Sequence, residues 1–326
     1  MGLRDEFGTI ARYFAPLSAG APGAFGLTND AAVIPPDGEQ GLVTTIDALV
    51  EGVHFLPDDP ADLVARKLLR TNLSDLAAMG AKPESYLLTM ALDKARDESW
   101  IASFAAGLAA DQAQYAVVLL GGDTVSTPGP MTLSLAAFGR VPGQTVLERG
   151  TAKPGDSIYV SGTIGDGALG LLVRQSRLTG LAERDRAFLE LRYRLPEPRT
   201  TLGPALLGLA TACLDVSDGL VADLGHIAEN SGLGVELRSD AIPLSEAAQT
   251  VLGDDPDLLP LLLTGGDDYE LAFTLAPEDA GALEALARET GTAVTCIGRT
   301  VEAPGVVVLD RDARPLALAG SGWTHF

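Results

Sequence analysis

Leu69, Leu73 and Leu76 recur at the three- and four-residue spacing of one helix face, and they predict a helix over residues 61–79. Asp59-Pro60 marks its start, and Gly80 followed by Pro83 its end. Around it the pattern alternates. Strands are predicted at 42–46, 86–92, 115–120 and 131–139, the third as a continuous apolar, buried run. Amphipathic spacing predicts a short helix at 7–14 and a longer one at 98–112. Turn residues then gather at Val141-Pro142-Gly143 and at Lys153-Pro154-Gly155-Asp156, where a domain boundary is expected. The pattern restarts with a strand at 157–160 that runs into a helix. A helix at 220–230 has Ser217 or Asp218 as its expected N-cap and Gly232 as its C-cap. Strands at 271–274 and 293–297 flank a helix at 277–290. The fold class read from this is α/β (α+β), with two mixed α/β domains, 1–148 and 149–326.

Aspartates hold particular places in this frame. Asp30, Asp47, Asp75, Asp123, Asp215 and Asp218 each sit in a short patch of Asn, Thr, Ser or Gly, and most patches flank an apolar run. Carboxylates at strand ends and helix starts, scattered along the chain, are ill suited to a solvated charge run. They suit a cage for hard cations, which take oxygen ligands, and Mg²⁺ in turn suggests phosphates.

Composition narrows the classes. A chain of 326 residues, 46% hydrophobic and 21% charged, is long enough for two domains with a core each. The formal charge of −21 excludes a sequence-independent grip on nucleic acid and disfavours an anionic membrane surface. No apolar run approaches the length of a spanning helix. The start, Met1-Gly2-Leu3-Arg4-Asp5-Glu6, lacks a signal-peptide core, and Glu6 spoils a myristoylation signal. Cys213 and Cys296 form neither a disulfide framework nor a Cys-x-x-Cys pair, so a reducing cytoplasm is the expected location.

Each motif has a plain reading beside its chemical one. Asn72 and Asp75 border the apolar stripe of their helix, as a polar rim or as groups facing a cleft. Gly121-Gly122-Asp123-Thr124 ends its strand as an ordinary turn or as a close approach to a ligand. Asp215-Val216-Ser217-Asp218-Gly219 opens a helix. One aspartate there is explained by capping, and a second leaves a carboxylate for a metal. Ser161-Gly162-Thr163-Ile164-Gly165 has the placement of a phosphate loop but no Walker lysine, and reads as a plain strand-to-helix turn. Gly265-Gly266-Asp267-Asp268-Tyr269-Glu270 is too acidic for phosphate. It caps an element or meets a cationic or hydrogen-bonding ligand. His54, His226 and His325 are too scattered for a zinc site. His226 reads as structural, while His54 follows Asp47 closely enough to reach the same cleft. Trp323, in the closing Gly322-Trp323-Thr324-His325-Phe326, reads by default as a staple for the tail.

Taken together and in order, these motifs resemble the thiamine-monophosphate kinase family, a relative of aminoimidazole-ribonucleotide synthetase. The resemblance also rests on Asp30-Ala31-Ala32-Val33, Asp47-Ala48-Leu49-Val50-Glu51-Gly52-Val53-His54-Phe55 and Asn72-Leu73-Ser74-Asp75-Leu76-Ala77-Ala78-Met79-Gly80-Ala81. It implies phosphorylation of thiamine monophosphate to thiamine diphosphate, with ATP as donor. It implies that Asp30, Thr45, Asp47, Asp75, Asp123, Asp215 and Asp218 hold Mg²⁺ ions, with Asp75, Asp123 and Asp218 central to catalysis. Gly122, Arg149 and Ser217 would contact ATP, and His54, Asp267 and Trp323 the thiamine substrate. It implies a homodimer in which the N-terminal domains join into a shared β-barrel. This chain departs from the family's usual pattern at Thr28-Asn29-Asp30, normally Gly-Asp-Asp, and at Ile46, normally a small polar residue.

The implied chemistry suits the residues. A phosphomonoester loses its second proton near pH ~6, so the attacking phosphate oxygen needs no general base. What two polyanions need is relief from mutual repulsion, which metal ions in an aspartate cage supply. The rival readings are another ATP-using enzyme of the same superfamily and a nucleotide- and Mg²⁺-binding regulator without turnover. Selenide water dikinase would need a reactive residue near the N-terminus, where this chain has no Cys. The hydrogenase maturation factor would end in Cys, where this chain has Phe326.

Overall fold

The computed structural model describes residues 10–11, 15–18, 22–34, 39–318, 320 and 322. Apart from Ile10 and Ala11, the helix expected at 7–14 lies outside them, as do Trp323 and His325.

The described residues form a mixed α/β fold with two sheets. The first holds β1 (Ala32–Ile34), β2 (Gln40–Val50), β3 (Lys82–Leu92), β4 (Val118–Ser126) and β5 (Thr132–Pro142), in the order β1-β2-β5-β3-β4. The second holds β6 (Ser157–Ser161), β7 (Ala212–Asp215), β8 (Gly234–Arg238), β9 (Leu271–Leu275), β10 (Val294–Val301) and β11 (Gly305–Leu309), in the order β11-β8-β10-β6-β9-β7. Most pairings are antiparallel. The exceptions are β3 with β4 and β8 with β11. No helix among the described residues is long and apolar enough to cross a membrane.

The helix of the leucine stripe, α1 (Ala61–Ala78), is buried almost all round. Leu68, Leu69, Leu73 and Leu76 pack with the first sheet, whereas Ala77 and Ala78 join a second cluster with Leu206, Leu271 and Phe273. Each fully buried leucine contributes about 1.5–3 kcal/mol. The polar positions Lys67, Arg70, Thr71, Asn72 and Ser74 are buried as well. The expectation that Asn72 borders the stripe and faces a cleft is therefore corrected: it is wholly buried and donates through Nδ2 to the Leu68 carbonyl at 2.9 Å. Arg70 and Arg66 converge on the buried Asp111 of α2 (Glu98–Tyr115), at 2.7 and 2.8 Å. Arg70 also donates to the carbonyl of Pro196, in the other half of the chain, at 2.8 Å.

Two further expectations change. The strand expected at 115–120 begins only at Val118, because Ala116 takes a left-handed turn with φ 54°. It is not buried: β4 is an edge strand, and Val118, Leu119, Leu120 and Val125 are exposed along it. Gly121-Gly122-Asp123 accordingly lies inside the strand rather than at its end, and a Cβ at Gly122 would fall 1.8 Å from the Leu88 carbonyl oxygen. The apolar run was legible, but apolar character alone does not say what covers it.

In the second half, α3 (Asp166–Arg174) follows β6, and α4 (Glu183–Arg194) packs against it. After these come α5 (Leu202–Ala205), α6 (Leu220–Ser231), α7 (Glu246–Asp254), α8 (Leu259–Thr264) and α9 (Ala280–Thr290). Gly232 closes α6 in the left-handed conformation, as expected. Neither Ser217 nor Asp218 caps its start. Asp223, one turn in, reaches back instead and accepts from the amides of Asp218 and Gly219, both at 3.1 Å.

Candidate active site

Three elements from the two halves deliver carboxylates to one place. Asp30 precedes β1, whose pairing with β2 sets it beside Thr45. Asp75 stands on α1 and Asp215 ends β7. Ligand oxygens of Asp30, Asp75 and Asp215 all lie within 4.8 Å of one another. Thr45 donates to Asp75 Oδ2 at 2.7 Å, and Ser74 donates to Asp215 Oδ2 at 2.6 Å. Asp47, two residues beyond Thr45 on β2, adds its charge to both.

So many negative charges in a partly buried cluster oppose one another. Burial first, then the charges of Asp47, Asp215 and Asp30, pushes Asp75 well above the usual carboxylate range. Burial and then Asp30 do the same to Asp215. Among the described residues, Arg149 answers them. Arg149 grips Asp30 through both Nε, at 2.9 Å, and a terminal nitrogen. Its backbone N–H donates to Asn29 Oδ1 at 3.0 Å, so the amide that stands in an acidic family position serves here to hold the arginine. Oxygen donors from carboxylates and a hydroxyl, crowded and short of positive charge, fit a hard divalent cation such as Mg²⁺.

Beside this cluster two loops interlock. The residues after β7 meet Gly265-Gly266-Asp267-Asp268-Tyr269-Glu270 through Asp267 N–H to Ser217 O at 2.9 Å and Tyr269 N–H to Val216 O at 2.8 Å. Gly266 permits this approach, since a Cβ there would lie 2.1 Å from the Ser217 carbonyl oxygen. Asp268 turns away and accepts from the amides of Gly165 and Gly167, at 2.7 and 3.1 Å. The strand-to-helix turn at 161–165 thus has its helix start filled by the chain's own carboxylate. Burial raises Asp268 to about 8 in spite of those amides. Asp267 pairs instead with Lys67 at 2.9 Å. His54 accepts through Nδ1 from the Val50 amide at 3.0 Å, which sets the neutral ring with its proton on Nε2.

Comparison with known proteins decides among the families that share such a fold. The AIR synthase related N-terminal domain matches residues 28–141, and the AIR synthase related C-terminal domain matches residues 153–311. The thiamine-monophosphate kinase of Caulobacter vibrioides is 47% identical, over 98% of this chain and 90% of its own length. The chain belongs to the thiamine-monophosphate kinase family. Among solved structures, thiamine-monophosphate kinase from Stenotrophomonas maltophilia K279a matches with a TM-score of 0.79 at 40% identity, covering 94% of this chain and 98% of that one. AaThiL complexed with AMPPCP and TMP matches with a TM-score of 0.84 at 27% identity, over 100% of both chains.

As a thiamine-monophosphate kinase family member, the chain brings some of the expected residues together and keeps others apart. Asp30, Thr45, Asp75, Asp215 and Arg149 converge, and Asp47 adds its charge nearby. Ser217 and Asp218 lie on the adjoining loop, with Asp267 hydrogen-bonded to it and His54 linked to Asp267 through Lys67. Gly122 and Asp123 sit on the exposed edge strand β4, and Asp123 is not one of the three clustered carboxylates. Trp323 lies outside the described residues. Sequence reasoning missed Ser74, Lys67 and Asp223. Ser74 lies inside a motif that was read, and Asp223 was signalled as an acid in the first turn of a helix. Lys67 gave no sign, because a lysine in a helix is ordinarily a surface residue.

These shifts set a pH dependence. Asp75, Asp215 and Asp223, raised first by burial, and Asp268, raised to about 8, bind protons more tightly folded than unfolded. Their contribution favours the folded chain while they are protonated and is lost as pH rises towards their folded values. Carboxylates held low, such as Asp58, have completed their opposite contribution at lower pH. His226, lowered by burial from 6.5, also runs the other way, but only up to that value. In EDTA, the melting temperature should fall by a few degrees between about pH 7 and about pH 8.5, and Mg²⁺ should recover more of it at the upper end. A melting temperature that climbs across this window in EDTA contradicts the assignment.

Proposed function

We propose that this chain transfers the γ-phosphoryl group of ATP to the phosphate of thiamine monophosphate, giving thiamine diphosphate. Kinship along the whole chain supports the activity. The observation that carries the chemistry is the convergence of Asp30, Asp75 and Asp215 from both halves of the fold. Asp30, Thr45, Asp47, Asp75, Asp123, Asp215 and Asp218 would hold Mg²⁺. Bound there, such ions would supply positive charge against the phosphates of donor and acceptor and against the charge that develops between them.

The chain's own residues bind, orient and hold. Thr45 and Ser74 fix the rotamers of Asp75 and Asp215 through their hydroxyl bonds. Arg149, with Gly122 and Ser217, is assigned to ATP, and in the ligand-free chain its guanidinium partly offsets the carboxylates. His54, Asp267 and Trp323 are assigned to the organic part of thiamine monophosphate, with His54 offering an Nε2 proton and Asp267 a carboxylate. No side chain has to remove a proton from the nucleophile, which is a phosphate oxygen.

We further assign residues 1–148 to metal and ATP binding and to dimerisation, and 149–326 to a second α/β domain, in keeping with two sheets drawn from separate stretches of chain. The two chains of a homodimer would pair their N-terminal sheets into a shared barrel. The edge to be covered is β4, while the strand expected at 131–139 forms β5 in the middle of the sheet. Val118, Leu119, Leu120 and Val125 of β4 are exposed, as are Leu87 of β3 and, further across the sheet, Ile46 of β2, apolar surface that a second copy would cover. A cytoplasmic location accords with two cysteines, one buried and one exposed, that are not joined.

ADP release should depend on thiamine monophosphate, and Asp75→Asn should lower turnover by about a thousandfold or more at saturating Mg²⁺ while leaving the fold intact. ADP release indifferent to thiamine monophosphate would favour a different enzyme or a regulator. In sedimentation the chain should run as a dimer at micromolar concentration, and Leu120→Lys should shift it towards monomer. A monomer at high concentration would remove the shared barrel.

A further inference from the structure

Lys67 is an unusual residue to find inside a protein. Its side chain is 2% exposed, on the helix that also carries Asp75. A lysine is almost never buried unless paired, because an isolated ammonium out of water is costly. Its Nζ donates to the His54 carbonyl at 3.0 Å, pairs with Asp267 Oδ1 at 2.9 Å, and lies 4.0 Å from the ring centroid of Tyr193 on α4. An ammonium has three N–H donors, and these contacts account for them. Lys67 is therefore spent on the chain itself and does not reach a ligand phosphate.

The two groups it ties belong to opposite halves and to the same proposed substrate site. Asp267 keeps 27% of its side chain exposed while Lys67 keeps almost none. One carboxylate oxygen is anchored to the buried ammonium, and part of the side chain stays open to solvent. The backbone of Asp267 takes a positive φ of 72°, a left-handed conformation that a residue with a Cβ keeps only where its surroundings hold it. The Ser217 carbonyl, which accepts from its N–H, and the Lys67 ammonium hold Asp267 at backbone and side chain.

We propose that Lys67 is a positioning residue for thiamine monophosphate: it fixes His54 and Asp267 relative to one another and to Asp75. This rests on the substrate roles given above to His54 and Asp267. Lys67 and Asp75 are eight residues apart on one helix, about 12 Å along its axis. The helix thereby acts as a ruler between the organic end of the acceptor and the carboxylates at which its phosphate reacts.

Steady-state kinetics of Lys67→Met, Asp267→Asn and the double variant test this. Lys67→Met should raise KM for thiamine monophosphate about tenfold or more and leave KM for ATP within about twofold, since only one substrate loses its anchor. Asp267→Asn should do the same, and the double variant should be no worse than the more severe single one, because both changes dismantle one arrangement. The double variant also removes the buried unpaired charge, so it reports even if Lys67→Met alone unfolds; in that case adding Lys67→Met to Asp267→Asn should change KM by less than about twofold. An active wild type whose Lys67→Met variant keeps its KM for thiamine monophosphate, or weakens towards both substrates equally, overturns the proposal alone. Fully additive effects also overturn it. A wild type with no turnover dependent on thiamine monophosphate overturns the functional reading and this proposal with it.

Discussion

Like charges that cannot separate are the constraint on which this molecule is built. Asp30, Asp75 and Asp215 lie within reach of a single ion, and Asp47 adds its charge from the neighbouring strand. In a half-buried cleft such repulsion is far stronger than in water. Left alone it would be relieved by proton uptake or by the two halves drawing apart. The chain counters with hydroxyl donors at Thr45 and Ser74 and with the guanidinium of Arg149, which answers Asp30 most directly. The deficit left over is the chemical basis for the proposal that the cluster holds a divalent cation.

Holding the cluster together is the task of α1. It is buried on the side facing the first sheet by leucines, and three of its buried polar side chains reach across to the second half. Ser74 meets Asp215, Arg70 meets the Pro196 carbonyl, and Lys67 meets Asp267. Arg194 adds a contact to Asp59, just ahead of the helix, at 2.6 Å. Apolar contacts alone would let the halves slide. Buried charge-assisted bonds have narrow geometry, and breaking one leaves an uncompensated charge at a cost of about 3–5 kcal/mol. The cluster therefore inherits its geometry from a stiff helix and from ties that tolerate little displacement.

Most of the elements were legible in the sequence because their periodicity reports local structure. The leucine spacing of α1, the Gly232 cap and the strand at the start of the second half all follow from patterns a few residues long. What was not legible depended on partners far away in the chain. The apolar run at Val118-Leu119-Leu120 looked buried, yet it lies on an edge strand and is exposed among the described residues. The amides leading into α6 are held by a carboxylate within the helix, an arrangement that depends on how the preceding loop turns. For the site, Asp30, Asp75 and Asp215 were found as acids in polar patches flanking apolar runs. Lys67 was invisible, since nothing in its sequence neighbourhood distinguishes a lysine facing a second domain from one facing water.

The central claim is that carboxylates from both halves jointly hold a divalent cation. Titration of Mn²⁺, as a paramagnetic stand-in for Mg²⁺, followed by electron paramagnetic resonance on the wild type and on Asp215→Asn, tests it most directly. Asp215 comes from the second half, so its loss probes the joint character of the site. The account predicts saturable Mn²⁺ binding by the wild type and an affinity at least about tenfold weaker in the folded variant. Equal Mn²⁺ affinity and stoichiometry in the two proteins would contradict it.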